Sequence, residues 1–281
     1  MSPQRFGYPI AFVAFVALYV ATGLGSLALA PFARIVSSVW LPSGIALGAS
    51  LLIGPRIWPA VFTGAWLVAM LGASAPPGLA LVSATGDTLE TAVGWMLLAR
   101  GAAEGFRLDR VRDVVLLFAV AAIAPLISAI VGTAAFVLGG RFVASNALDT
   151  GLIWWFGNMV GIIAGTPLLL AWLRPARPEG VTRSRIPDPV WIGGIAALAI
   201  LAAAGIWRDL SYLFLLAPPV VLATLRWRMR GAATAVLATA WAVMLMAMSR
   251  PDLLDRPSSF EDLLLVQLVL VIVAGVALLL A

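Results

Sequence analysis

Two carboxylates stand three residues apart inside the apolar stretch Leu79 to Ala99, in the run Thr85-Gly86-Asp87-Thr88-Leu89-Glu90. On a helix that spacing puts both acids on one face. Carboxylates so placed can accept hydrogen bonds from a small ligand, hold a cation or exchange protons. A charge at the centre of a membrane helix costs about 2.5–3.5 kcal/mol on insertion scales, so the pair needs a partner or a task. Thr91 lies beside them, with Gly94 and Trp95 one turn deeper. The competing reading makes the same groups interhelical hydrogen-bond glue, worth about 0.6–2 kcal/mol per contact.

The elements that must position these acids are apolar helices. The chain has 281 residues, 62% of them hydrophobic and 11% charged, and its mean hydropathy is +1.05. Apolar runs of about 17–25 residues recur from end to end, and that length crosses a hydrocarbon core about 30 Å thick. An all-α, polytopic transmembrane bundle is therefore expected. About ten spans are read: 9–29, 35–53, 57–74, 78–99, 111–138, 150–173, 189–206, 212–225, 231–248 and 262–281. Pro42, Pro59 and the Pro218-Pro219 pair interrupt the second, third and eighth, which leaves eight spans as the alternative. The apolar run Ile10 to Ala30 is too long for a signal h-region of roughly 7–15 residues and is kept as a span.

All 18 basic residues are Arg. Thirteen fall on one set of loops: Arg5, Arg56, Arg100, Arg107, Arg110, Arg112, Arg174, Arg177, Arg183, Arg185, Arg226, Arg228 and Arg230. Five, namely Arg34, Arg141, Arg208, Arg250 and Arg256, fall on the other. The positive-inside bias then places the first set and both termini in the cytoplasm. The net charge of +5 is a membrane-surface property, and no basic helix or aromatic-basic module accompanies it, so nucleic acid is not an expected partner. With no Cys and no His, disulfides, thiolate catalysis, the usual structural zinc sites and a phosphoacceptor histidine are excluded within this chain. No catalytic residue, metal-ligand set or cofactor is expected.

Under this topology Asp87 and Asn158 lie at equal depth, about 12–14 Å below the outer surface at 1.5 Å per residue, which permits direct contact. Trp154 and Trp155, just upstream of Asn158, could wall a cavity. Most other tryptophans fall near span ends, where an aromatic belt is expected. Thr166 precedes Pro167, whose missing N–H frees a carbonyl. The candidate ligand-binding residues are thus Asp87, Glu90, Asn158, Trp154, Trp155, Thr91 and Thr166. Gly157 and Gly161 form a Gly-x-x-x-Gly that lets two helix backbones approach closely. A loose internal echo links Pro42, Arg56 and Trp66 with Pro218, Arg230 and Trp241.

Five blocks occur in order: Trp40-Leu41-Pro42-Ser43-Gly44-Ile45-Ala46-Leu47; Gly54-Pro55-Arg56-Ile57-Trp58-Pro59-Ala60; Thr88-Leu89-Glu90 ahead of Leu97-Leu98-Ala99-Arg100; Trp154-Trp155-Phe156-Gly157-Asn158; and Thr166-Pro167-Leu168-Leu169-Leu170-Ala171-Trp172. Together they resemble the MASE1 family, the membrane-associated sensor domain at the N-terminus of bacterial histidine kinases and diguanylate cyclases. In that family Asn usually stands where this chain has Asp87, and Asp where it has Asn158. An Asp–Asn pair keeps its hydrogen-bonding inventory when the residues trade places, so the exchange reads as one preserved pair.

The resemblance implies a single integral-membrane sensor domain over 1–281 in the bacterial inner membrane. It is expected to detect a periplasmic or membrane-borne small ligand or ion and to hand the signal to a cytoplasmic output domain, a histidine kinase or diguanylate cyclase, fused after Ala281. The run Leu263 to Ala281 ends in apolar residues with no basic flank, which agrees with such a continuation. Since output enzymes of this kind act as dimers, a homodimer is expected. The alternative function is a small-molecule transporter or uptake component with the same midplane cluster as its binding site. An intramembrane enzyme is not expected, because the metalloprotease patterns are absent.

Overall fold

The computed structural model describes residues 4–28, 37–102, 105–141, 143–174, 188–249 and 259–281. Arg34, Arg177, Arg183, Arg185, Arg250 and Arg256, used above to orient the chain, lie outside the described residues. The described chain is helical throughout: α1 (Gln4–Ala28), α2 (Leu41–Ile53), α3 (Trp58–Leu71), α4 (Pro77–Gly101), α5 (Val111–Ile123), α6 (Pro125–Leu138), α7 (Ala147–Leu173), α8 (Asp188–Arg208), α9 (Ala217–Met248) and α10 (Ser259–Leu280). Proline sets several of the starts, at the first or second position of α2, α3, α4 and α6, where its missing N–H costs nothing.

Each of the ten expected segments finds a helix or part of one. Six helical segments are long and apolar enough to cross a membrane: Tyr8–Ala28, Val111–Leu138, Ala144–Leu173, Asp188–Arg208, Tyr212–Met246 and Glu261–Leu280. The others fall short for separate reasons. With 13 and 14 residues, α2 and α3 are each only about 20 Å long, less than the hydrocarbon core. Helix α4 has 25 residues but carries the polar run around Asp87 and Glu90, which depresses its hydropathy. The expected segments 212–225 and 231–248 meet inside α9, where Arg228 leaves helical geometry at φ 50°. A Cβ on Gly231 would sit 2.0 Å from Ala223 O, so the chain doubles back at that point. The echo has a structural counterpart, since the turn between α2 and α3 also passes through a positive φ, at Gly54 (φ 80°).

The site is positioned by the α2–α7 pair, the most extensively packed in the molecule. Glycines put the two backbones in contact: a Cβ on Gly44 would lie 2.0 Å from Gly161 O, and one on Gly161 would lie 1.9 Å from Trp40 O. Thr166 Oγ1 adds a hydrogen bond to Gly44 O at 3.1 Å across the same seam. One apolar core gathers Phe15, Tyr19, Ile45, Val61 and Val68 from α1, α2 and α3. A second gathers Leu117, Ile162, Val236 and Ala274 from α5, α7, α9 and α10. Helix α8 lies at the edge, against residues 210–216 and α9, with most of its surface exposed.

The seam makes a contrast between glycines measurable. Gly161→Ala forces backbone apart and should cost about 1–3 kcal/mol, whereas Gly193→Ala on α8 meets nothing within 4 Å and should not lower stability, helix propensity favouring the alanine. Thermal unfolding in detergent checks this, and equal midpoints for the two variants would contradict the packing described.

Candidate functional site

Helix α4 turns one face to α2, α3, α5 and α6 and leaves the other, with Leu81, Val82 and Leu89, exposed. Glu90 is 1% exposed and Asp87 7%. The hydrogen-bonding partners of Glu90 come from other helices. Ser128 Oγ on α6 donates to Glu90 Oε2. Asn158 Nδ2 on α7 donates to the same oxygen at 2.7 Å and to Ser128 Oγ at 2.8 Å, closing a three-residue ring. Ser43 on α2 faces the Glu90 carboxyl. Tyr19 on α1, 1% exposed, lies in the electrostatic field of both acids, with Trp40 flanking its hydroxyl. Five helices thus converge on two carboxylates.

The ring needs a particular local chain. Pro125 breaks α5 from α6 and starts the turn that carries Ser128, whose hydroxyl also reaches Pro125 O at 3.2 Å. Gly86 brings α4 close to α6 at Ser128 and Val131. Asn158 sits next to Gly157 on α7, and a Cβ on Gly157 would lie 2.2 Å from Ser37 O. The segment Ser37 to Trp40 is therefore pressed onto the turn that carries Asn158, and Trp40 N donates to Gly157 O at 2.8 Å.

The partnership differs from the one expected. Asn158 bonds Glu90 and Ser128, and no hydrogen bond to Asp87 occurs among the described residues. Glu90 is one turn further along α4 than Asp87, and Ser128 supplies the surface on which Asn158 docks. The expected pair was Asp87 with Asn158; depth along two helices fixes no rotation about them, and the Asn158 amide meets Glu90 instead. Asp87 Oδ1 and Glu90 Oε1 are buried without a hydrogen-bond partner. No described Arg forms an ion pair with either acid. The site therefore presents two acceptor oxygens on one helix face and no cation of its own.

The remaining candidates lie apart from the ring in their contacts. Thr91 Oγ1 donates to Asp87 O at 3.0 Å within α4. Thr166 ties α7 to α2 as described. Trp155 Nε1 donates to Ala122 O at 2.7 Å, a carbonyl in the turn before Pro125. Trp154 packs edge-on against Phe136, with ring centroids 5.9 Å apart, and closes over Gly132. Three members were missed by reading the sequence: Tyr19, Ser43 and Ser128. Each sits in an apolar run as a small polar or aromatic exception, and only the proximity of Pro125 to Ser128 gave a local signal.

This geometry separates the two acids by stability. Removing the Asn158 amide leaves a charge-bearing group short of a donor, so Asn158→Ala should cost about 1.5–3 kcal/mol. Asp87 makes no side-chain hydrogen bond among the described residues, so Asp87→Asn should raise the thermal midpoint by relieving a buried, uncompensated carboxylate. A lower midpoint for Asp87→Asn would mean that Asp87 is anchored after all.

No curated protein and no solved structure matches the chain. A family model does: the MASE1 model matches residues 10–281 and so takes in every residue of the ring, along with Tyr19, Ser43 and Asp87. The multi-pass helical bundle built around a buried acid pair therefore belongs to the MASE1 family of membrane-associated sensor domains.

Proposed function

We propose that this chain is the sensory input module of an inner-membrane signalling protein, with Asp87, Glu90, Asn158 and Ser128 as its detecting site. The observation that carries this reading is the pair of unpartnered buried oxygens, Asp87 Oδ1 and Glu90 Oε1. A group that only accepts hydrogen bonds, sealed from water and without a counter-ion, favours an occupant that brings positive charge. The occupant is a proton or a small cation. Two carboxylates supplemented by Ser, Asn and Tyr provide oxygen ligands and no nitrogen or sulfur, which suits a hard monovalent ion better than a transition metal. Structural glue would not require the unpartnered oxygens, because a ring of Asn, Ser and Gln would bind helices together at less cost.

The finer features follow the same reading. Both termini face the cytoplasm, the chain crosses the bilayer about ten times, and an output domain of the histidine kinase or diguanylate cyclase type follows Ala281. Occupation of the site changes the packing around α7, and α10 carries the change to the output domain, which works as a dimer. Trp154, Trp155, Thr91 and Thr166 act around the site by holding α6, α7 and α2 in register.

The test is a fusion of a diguanylate cyclase domain after Ala281. Glu90→Gln keeps the shape of the residue and removes its charge, so the fusion should fold normally and shift its output severalfold. Glu90→Leu should abolish the response. An unchanged output with Glu90→Gln would reduce Glu90 to glue. The orientation is checked separately by single cysteines in this cysteine-free chain. Ser145→Cys should react with an impermeant thiol reagent in intact cells and Asp109→Cys only after lysis, and the reverse pattern would overturn the topology.

A further inference from the structure

Helix α10 is apolar from Leu263 to Ala281 except at Gln267. That residue is 0% exposed, in the middle of the bundle. Its Nε2 donates to Ser38 O at 2.9 Å and reaches Ile153 O on α7 at 3.4 Å. Both acceptors border the detecting site. Ser38 belongs to the Ser37–Trp40 segment pressed onto Gly157 and Gly161, and Ile153 lies five residues before Asn158 on α7. A single stretch of α7 is therefore held by Asn158 against Glu90 and by Gln267 against α10.

We propose that Gln267 is the coupling residue that transmits the state of the Glu90–Asn158 ring to α10. The assignment rests on the site reading above and adds the route. From Leu263 onward the rest of α10 packs on the bundle through apolar side chains such as Leu270, Val273, Ala274 and Leu278, and a Cβ on Gly275 would stand 3.5 Å from the Phe118 ring. Aliphatic surfaces slide over one another at little cost, and hydrogen bonds in a low-dielectric interior do not. Ser38 O lies outside any helix, so a bond to it follows the movement of the Ser37–Trp40 segment. When Asn158 shifts on Glu90, its α7 turn and this segment move together, because no side chain separates them at Gly157. Gln267 must then follow or lose its acceptor, Ser38 O. Helix displacements of about 1–2 Å are the usual scale of such transitions.

Spin labels provide the test, placed through Val115→Cys on α5, 56% exposed, and Leu279→Cys on α10, 48% exposed. The chain has no other cysteine. The interlabel distance is measured by pulsed electron resonance in nanodiscs, with Glu90→Gln and Asn158→Ala as independent perturbations. With Gln267 in place each should shift the distance by about 2 Å. In the Gln267→Met background, which keeps length and loses the donor, neither should. Gln267→Asn, too short to reach Ser38 O, should behave like Gln267→Met and serves if the methionine variant is not monodisperse. Equal shifts with and without Gln267 would overturn the coupling, as would a distance that neither perturbation moves. If Asn158→Ala shifts α10 only when Gln267 is present while Glu90→Gln is silent, the coupling stands and the reading of Glu90 as the detecting group fails.

Discussion

The structure is organised around the difficulty of burying Glu90. A carboxyl group only 1% exposed is cut off from bulk water, and the chain answers with donors from two different helices, Ser128 and Asn158, on one of its oxygens. Because the donors come from α6 and α7 while the acid is on α4, satisfying one side chain fixes three helices relative to each other. The second oxygen remains open. A site that is half satisfied is costly in a low-dielectric interior. That cost is the physical content of the functional proposal, since it gives an incoming positive charge something to relieve.

The glycine seam has the complementary role. At Gly44, Gly157 and Gly161 the backbones meet with no side chain between them, so carbonyls rather than flexible side chains form the contact surface. In the proposed transmission, a displacement at Asn158 passes directly into the Ser37–Trp40 segment. Close packing of this kind transmits small movements, because interiors at crystal-like density deform little. The two parts of the site thus differ in character: a polar ring sensitive to charge, set on a stiff backbone frame.

Much of this was legible in the sequence, for identifiable reasons. Long apolar runs announced the helices, and Asp87 with Glu90 stood out because almost every other charge could be placed in a loop or at a helix end. The Gly157–Gly161 pair announced the close approach of α7 without naming α2 as its partner. The identity of Asn158's partner was not legible, because depth along a helix says nothing of rotation about it, and Ser128 lay inside an apolar run with only the nearby Pro125 as a signal. The span count was obscured for a related reason. Helices α2 and α3 are too short to cross alone, and α9 changes direction at Arg228, a residue type that gives no warning of a positive φ. Gln267 was visible as a polar exception on α10, but its acceptors lie 114 and 229 residues away in sequence.

The central claim is that the buried acid pair takes up positive charge as part of sensing. Infrared difference spectroscopy of the chain in lipid bilayers, recorded on stepping pH or sodium concentration, observes those carboxyl groups directly. The account predicts carboxyl and carboxylate bands that appear in the native difference spectrum, diminish in Asp87→Asn and vanish in Glu90→Gln. A native spectrum identical to that of Glu90→Gln under both steps would contradict it and leave the ring as a device for holding α4, α6 and α7 together.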